Sequence, residues 1–250
     1  MNFEELSGYS IDQNTTCIQV SGEDSQKFLQ GQFSNDITEV TDSVYQYSSY
    51  STNQGKVIAI FRILKNNQGY LLLINKNVAK YFIERLSMYI LMSKVKIEEQ
   101  KDCMIYGILG KSAENILLEN TLKANEYIKN SENIILSNEN KYVPAATIIK
   151  IKSSNSQSDE LLKSEINVDY NVNELIDNLL LLPRITMETK ETYIPQVLNL
   201  EDLNGINYKK GCYTGQEIVA RTHYLGKIKK KIFLLEHNEK DIDAGDKIHD

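Results

Sequence analysis

The segment that most constrains the fold is a hairpin followed directly by an amphipathic helix. Residues 56–64 and 70–74 are two apolar runs, and the turn-forming residues 66–69 separate them. This arrangement predicts two antiparallel strands joined by a tight turn. A helix is predicted next, with Asn75 or Asn77 as its N-cap. Its apolar positions recur every three or four residues, at Val78, Phe82, Leu86 and Tyr89.

A second unit of the same kind follows. Residues 104–109 predict a strand, and Ser112 is predicted to cap the helix after it. The apolar positions of that helix are Ile116, Leu117 and Leu122. Residues 142–151 then predict a long strand.

The remaining elements are shorter and irregularly spaced. The polar residues 153–158 predict a loop that leads into a short helix through Leu161 and Leu162. Residues 173–182 predict another helix, which Pro183 ends. Strands and helices therefore mix without the regular βαβ rhythm of a doubly wound sheet. The predicted fold class is α+β.

Composition excludes several kinds of protein. The chain has 250 residues, 41% of them hydrophobic, and a net charge of −6, so it can bury a large core and does not suggest nucleic acid as a direct partner. The first ten residues lack the basic start and apolar run of a signal peptide. No stretch approaches the ~20 apolar residues that span a bilayer. We expect a cytoplasmic protein without a direct membrane partner.

The three cysteines are odd in number and widely separated. Cys17 and Cys103 lie in apolar, strand-like runs, where cysteine behaves as a small hydrophobic residue. No CxxC pair is present, so a cysteine-based zinc site is not expected, and no metal site is predicted. With no export signal, the thiols are expected to be reduced.

Cys212 lies in a different setting. Thr214 and Glu217 have the spacing of a capping box, which predicts a helix over residues 215–224 that ends at Gly226. The helix dipole and the neighbouring Lys210 would both favour a thiolate at Cys212. A reactive or metal-ligating thiol is therefore favoured over a buried one.

Basic residues dominate the segment from residue 205 to residue 235, near the end of the chain. Between residues 205 and 235 the only acid is Glu217. Such a patch suits an anionic ligand, such as a polyglutamate tail or a phosphate. For residues 227–231, the favoured explanation of the basic charge is a solvent-exposed edge strand whose lysines prevent it from pairing with other strands.

Residues 210–217 resemble the cysteine motif of the YgfZ family, relatives of the glycine-cleavage T-protein that are linked to iron–sulfur protein maturation. The matching residues are Lys210-Gly211-Cys212-Tyr213-Thr214-Gly215-Gln216-Glu217, followed by Ala220-Arg221. Further matches are Ile194-Pro195-Gln196, Asn199-Leu200, Gly22-Glu23-Asp24, Phe28-Leu29-Gln30-Gly31-Gln32 and Asn35-Asp36. The resemblance runs from about residue 15 to residue 235.

The resemblance implies two interlocked α+β subdomains around a central folate pocket over residues 1–226, and the start of a C-terminal β-barrel over residues 227–250. It implies tetrahydrofolate binding and a role in iron–sulfur cluster assembly or repair, and so in tRNA modification that depends on iron–sulfur enzymes. Folate and iron–sulfur assembly or client proteins are the implied partners. Lys210 and Cys212 would be the functional pair. The implied folate-binding residues are Asn53, Gln196, Gly211, Tyr213, Gln216, Glu217 and Arg221.

Three features depart from the family pattern. The chain stops just as residues 244–248 should open the barrel. No tryptophan is present, and Thr15 and Asn173 occupy the positions where family members can stack the pterin on tryptophan. The tyrosines that would replace them are Tyr45, Tyr47 and Tyr50. Asn204-Gly205 stands where two glycines are usual, a change that asparagine tolerates because it can adopt positive φ.

Three other functions remain open. An aminomethyltransferase of the T-protein type would need an acid where Ala59 and Ile60 stand. A thiol-dependent enzyme would need a base near Cys212. His223 would instead lie ~13 Å along the helix from its N-cap. A plain scaffold would use the cysteine motif only for packing. The sequence favours an accessory protein over a classical enzyme.

Overall fold

The structure, a computed structural model, describes residues 6–130, 133–138, 140–151 and 166–235. Its strands are β1 Gly8–Ile11, β2 Thr15–Ser21, β3 Gln46–Ser51, β4 Val57–Asn66, β5 Gly69–Asn75, β6 Lys96–Glu99, β7 Cys103–Leu109, β8 Tyr127–Lys129, β9 Asn133–Ser137 and β10 Ala145–Ile151. Its helices are α1 Ser25–Gln30, α2 Lys76–Ser87, α3 Lys111–Glu119, α4 Val172–Leu179 and α5 Gln216–Leu225, with a 3-10 turn at Ile37–Glu39.

The strands form two antiparallel sheets of five strands each. Sheet I has the order β1-β7-β10-β9-β8, and sheet II has the order β3-β4-β5-β2-β6. Mixed helices and antiparallel sheets agree with the predicted α+β class. Neither sheet closes into a barrel within the described ranges.

Sheet II is buried on both faces, and β5 shows why its sequence is continuously apolar. Leu71 and Leu73 belong to the core between the two sheets. Tyr70, Leu72 and Ile74 belong to the core that sheet II forms with helices α1 and α2. Because successive side chains of a strand point to opposite faces, a sheet covered on both sides needs apolar residues at every position.

Sheet I completes the inter-sheet core with one face and packs helix α3 on the other. Ile105 and Ile149 contribute to the core between the sheets. Ile108 and Ile148 pack with Ile116 of α3. The two sheets therefore stack face to face, with helices on their outer sides.

The predicted hairpin and its helix are confirmed. Strands β4 and β5 pair from Phe61↔Ile74 to Asn66↔Gly69. Asn75 is the N-cap of α2, and its side chain accepts a hydrogen bond from the backbone N–H of Asn77. The positive φ predicted as tolerable at Asn204 is also present, at 52°.

Three predicted boundaries are wrong. Helix α3 begins at Lys111 after Gly110, whose φ is 70°, so Ser112 lies inside the helix and does not cap it. Strand β10 starts at Ala145, directly after Pro144, which has no N–H to donate to a neighbouring strand. Helix α4 ends at Leu179, and the positive φ of 53° at Leu181 prevents its continuation.

Some predictions fall outside the described residues. These are the polar loop 153–158, the short helix through Leu161 and Leu162, and the barrel-opening residues 244–248. Residues 227–235 are described and form no strand. None of the described helices has the length and apolarity required to cross a membrane.

Candidate functional site

Two glycines bring the start of helix α5 against the turn that precedes β4. Gly215 is the N-cap of α5, with a φ of 84°. A Cβ atom on Gly215 would lie only 2.5 Å from the carbonyl oxygen of Thr52. Gly55 packs against it from the turn, with a φ of 70°. Both positions therefore require glycine, which needs no room for a side chain and adopts positive φ without strain.

This geometry corrects the predicted capping box. Helix α5 begins one residue later than predicted, so Thr214 is not its N-cap. The Thr214 hydroxyl instead lies 3.2 Å from the side-chain oxygen of Gln32. The left-handed conformation of Gly215 separates Thr214 from the first helical turn, which explains why the side chain does not reach the helix.

An open cavity of about 360 Å³ lies at this junction. It is lined by Gly31, Asn53, Cys212, Tyr213, Thr214, Gly215, Gln216 and Glu217. The volume is within the range of small-molecule sites. The cavity thus joins the cysteine motif to the Thr52–Gly55 turn and to the end of the first helix.

Five of the nine predicted site residues line this cavity, and four do not. Those that line it are Asn53, Cys212, Tyr213, Gln216 and Glu217. Gly211 is exposed, with no atom within 4 Å of the place where its Cβ would be. Arg221 is exposed farther along α5. Lys210 and Gln196 are buried behind the cavity wall.

Lys210 holds a loop in place. Its Nζ atom donates hydrogen bonds to the carbonyl oxygens of Phe33 and Asn35, at 2.8 Å each. The same atom lies 5.2 Å from the centre of the Tyr213 ring. Burial lowers the pKa of Lys210 to about 8, although the charge of Asp36 acts in the opposite direction. Lys210 therefore joins residues 33–35 to the cysteine motif.

Gln196 is buried and forms a hydrogen bond with the backbone of helix α5. Its Nε2 atom donates to the carbonyl oxygen of Val219 at 2.7 Å and lies 3.2 Å from the hydroxyl of Tyr208. Tyr213 is also buried, and burial raises the pKa of its hydroxyl. These contacts fix the wall behind Cys212, whose own side chain is exposed.

The position of Cys212 gives it one chemical capacity. It is exposed, beside the N-terminal end of α5, where unpaired backbone N–H groups and the helix dipole favour negative charge. No group of three or more His, Cys, Asp or Glu residues that could hold a metal ion occurs among the described residues. Cys212 can thus offer a single sulfur atom to a ligand or to a partner protein.

The ring of His223 contacts Glu201 and Tyr208. Its Nδ1 atom lies 2.8 Å from a carboxylate oxygen of Glu201. Its ring stacks on that of Tyr208, with 3.8 Å between the ring centres. The pairing of His223 with Glu201 agrees with the prediction that it does not serve Cys212 as a base.

A buried ionic cluster was not predicted. Arg62 Nη2 lies 2.6 Å from Asp177 Oδ1, and Arg184 Nε lies 2.9 Å from Asp177 Oδ2. Arg184 also approaches Asp12 at 3.7 Å. A cavity of about 30 Å³, lined in part by Thr15, lies beside the cluster and has room for roughly one water molecule. Asp177 and Arg184 are seven residues apart, but Arg62 and Asp12 come from distant parts of the sequence, and no motif links the four residues.

The residues considered for stacking and for methylene transfer lie in the core. Tyr45, Tyr47 and Tyr50 are all buried, and none of them lines the cavity at Cys212. Ala59 and Ile60 are also buried, in the cores on opposite faces of β4. Neither face of β4 therefore presents a carboxylate at these positions.

Comparison with known proteins shows which family this chain belongs to. No model of a protein family matches it. The tRNA-modifying protein YgfZ of Colwellia psychrerythraea is 31% identical over 224 residues, which cover 87% of this chain and 68% of that protein. The chain belongs to the YgfZ family. The resemblance seen in the cysteine motif is thereby confirmed.

Other YgfZ proteins match over the same extent. The tRNA-modifying protein YgfZ of Photobacterium profundum is 29% identical over 232 residues, which cover 87% of this chain and 66% of that protein. The protein of the same name from Escherichia coli O157:H7 is 29% identical over 221 residues, covering 86% and 68%. This chain thus spans about two thirds of the length of its YgfZ relatives.

The fold of this YgfZ-family chain is also known from a solved structure. It is similar to the glycine cleavage system aminomethyltransferase T from Bartonella henselae, with a TM-score of 0.67 and 12% sequence identity. The similarity covers 89% of this chain and 64% of that chain. At this identity the likeness shows the fold alone, and it agrees with the predicted relation to the T-protein.

Proposed function

We propose that this chain is a folate-binding accessory protein that supports iron–sulfur cluster assembly or repair, and through it tRNA modification that depends on iron–sulfur enzymes. The observation that carries the proposal is the cavity of about 360 Å³ in which exposed Cys212 meets Asn53 and the first turn of α5. The printed name of the relatives, tRNA-modifying protein YgfZ, supports the cellular role.

The residues of the cavity fit part of a reduced folate. A pterin ring has both hydrogen-bond donors and acceptors, and Asn53, Gln216 and Glu217 supply side-chain amides and a carboxylate that complement them. Arg221, exposed on the same helix, is placed to attract a glutamate carboxylate. Gly211 leaves open space beside Cys212 for the approach of a ligand or partner. Gln196 and Lys210 would act from behind the wall, as positioning residues.

In this proposal the iron–sulfur cluster is cargo of a partner protein. One thiolate cannot hold a cluster alone. Cys212 would instead supply a single ligand, or form a transient mixed species, while assembly or client proteins supply the rest. Folate bound beside Cys212 would cover its thiol, so the access of a partner protein to the thiol would depend on whether folate is bound.

The arrangement implied by the family belongs to the same proposal. Residues 1–226 would form two interlocked subdomains that share the folate site, and residues 227–250 would begin a C-terminal barrel. The pairing of Ser34 with Gly205, whose carbonyl oxygen accepts a hydrogen bond of 2.7 Å from the Ser34 hydroxyl, supports the interlocking. It joins segments 171 residues apart.

Titration calorimetry with tetrahydrofolate tests the ligand. We expect saturable binding to the wild-type chain. The Asn53→Ala variant, which loses one hydrogen bond to the ligand, should bind about two- to tenfold more weakly. Gln54→Ala is the matched control, because Gln54 is exposed next to Asn53 but does not line the cavity. Absence of binding at millimolar tetrahydrofolate would refute the folate assignment.

A replacement strain tests the cellular role. In cells that carry Cys212→Ala in place of the natural chain, iron–sulfur enzyme activity should fall while the abundance of this protein stays constant. Cells with Gln54→Ala should keep that activity. Unchanged iron–sulfur enzyme activity in the Cys212→Ala strain would instead support a scaffold role for the motif.

A further inference from the structure

Two cysteines from different sheets meet at the inter-sheet core. Cys17 belongs to β2 of sheet II, and Cys103 begins β7 of sheet I. Their Sγ atoms lie 2.7 Å apart, although 86 residues separate them along the chain. Both cysteines are free. A disulfide bond has an S–S length of about 2.05 Å, so the two sulfur atoms need only a small movement to become bonded.

The backbone around the pair is held by hydrogen bonds. The N–H of Gln100, in the turn before β7, donates to the carbonyl oxygen of Cys17 at 2.8 Å. Cys103 pairs with Ile151 at the end of β10. Because both neighbouring backbones are fixed, the two sulfur atoms are kept close together in the folded chain.

We propose that Cys17 and Cys103 are a redox-active pair, oxidised reversibly to a disulfide that fastens sheet I to sheet II. The two thiols have unequal access to solvent. Cys17 is fully buried, whereas Cys103 is partly exposed. The contact with Cys103 and burial both raise the pKa of the Cys17 thiol. Cys103 is therefore the sulfur that a small oxidant reaches first, and Cys17 is the thiol that completes the bond.

With a peroxide as the oxidant, the chemistry balances in two steps. The Cys103 sulfur attacks one oxygen of hydrogen peroxide, so an S–O bond forms and the O–O bond breaks. The leaving hydroxide takes the thiol proton and becomes water, and Cys103 is a sulfenic acid. The Cys17 sulfur then attacks the Cys103 sulfur, so the S–S bond forms and the S–O bond breaks. The second hydroxide leaves with the Cys17 proton as water.

The bond would act on stability, and it would leave Cys212 as a free thiol. Closing a loop of this length removes conformational freedom from the unfolded chain. Oxidation is therefore expected to raise the Tm by roughly 5–15 °C for a chain of this size. A dithiol such as dithiothreitol should reverse the change by thiol–disulfide exchange.

The Cys212→Ser variant of the full chain provides the test, since it keeps only the two cysteines of interest and leaves the core unchanged. After treatment with hydrogen peroxide, mass spectrometry should show the loss of two hydrogen atoms and a cross-linked peptide pair that contains Cys17 and Cys103. The Tm should rise, and dithiothreitol should reverse both changes. The second variant, Cys212→Ser with Cys103→Ser, should form no such intramolecular bond.

Two results would overturn the proposal. One is the addition of oxygen atoms to Cys103 without a cross-linked peptide. The other is a cross-link that leaves the Tm unchanged or lowers it, because the bond would then not fasten the folded sheets. Neither result bears on folate binding, which the calorimetric experiment tests separately.

Discussion

The Nζ atom of Lys210 lies 2.8 Å from the carbonyl oxygen of Phe33, across 177 residues of the chain. This hydrogen bond ties the cysteine motif to the segment after helix α1, whose Gly31 lines the cavity at Cys212. Lys210 of the motif thus stabilises the fold, a role that the neighbouring sequence did not indicate. The family resemblance implies instead that Lys210 and Cys212 act as a functional pair.

Replacing Lys210 with methionine should destabilise the chain by about 2–4 kcal/mol. The variant keeps most of the apolar stem but leaves the buried carbonyl oxygens of Phe33 and Asn35 without their donor. Urea unfolding measures the free-energy change. The control is Lys209→Met, since the side chain of Lys209 is exposed. Equal stability of the two variants would contradict the structural role of Lys210.

The contribution of Lys210 should also depend on pH. Its folded-state pKa of about 8 is below its ordinary value of 10.5, so between these two values the unfolded chain binds more protons than the folded chain. Stability from this group must therefore rise with pH across that window. The unfolding free energy of wild type relative to Lys210→Met should increase by about 1.5 kcal/mol from pH 8 to pH 9.5. A difference that stays constant with pH would show that the pKa is not lowered.

Gly215 and Gly211 should respond oppositely to alanine. A methyl group on Gly215 would lie 2.5 Å from the Thr52 carbonyl oxygen, at a φ of 84°, so Gly215→Ala should cost at least about 2 kcal/mol. Gly211→Ala points into open space and should change stability by less than about 0.5 kcal/mol. Thermal or urea unfolding of the Gly215→Ala and Gly211→Ala variants measures the two changes in stability. Similar losses of stability in the two variants would contradict the close contact between Gly215 and the Thr52–Gly55 turn.

The buried cluster should be sensitive to the loss of its central acid. Asp177→Asn removes the charge that compensates Arg62 and Arg184, and should destabilise the chain by about 3–5 kcal/mol. The same substitution at Asp202, which pairs with Lys231 on the surface, should cost less than about 0.5 kcal/mol. If both variants unfold alike, Asp177 does not compensate buried charges on Arg62 and Arg184.

Local patterns predicted much of the fold, because a hairpin turn, an amphipathic period or an N-cap acts over a few residues. The β4–β5 hairpin and α2 are examples. The contacts that assemble the site have no such local signal. Asp177 meets Arg62 across 115 residues, and Cys17 meets Cys103 across 86. At the site itself, the motif identified Cys212 and its cavity neighbours. It could not show that Gly215 replaces Thr214 as the cap, because that depends on the Thr52–Gly55 turn packed against the helix.

If Cys212 and folate share one cavity, bound folate should shield the Cys212 thiol from alkylation. The rate of Cys212 modification by iodoacetamide is followed by mass spectrometry with and without saturating tetrahydrofolate, and glutathione in the same solution reports the available reagent. We expect folate to slow the alkylation of Cys212 several-fold while the reaction of glutathione stays the same. If saturating folate binds and Cys212 is modified at an unchanged rate, the ligand lies elsewhere and does not share the cavity with Cys212.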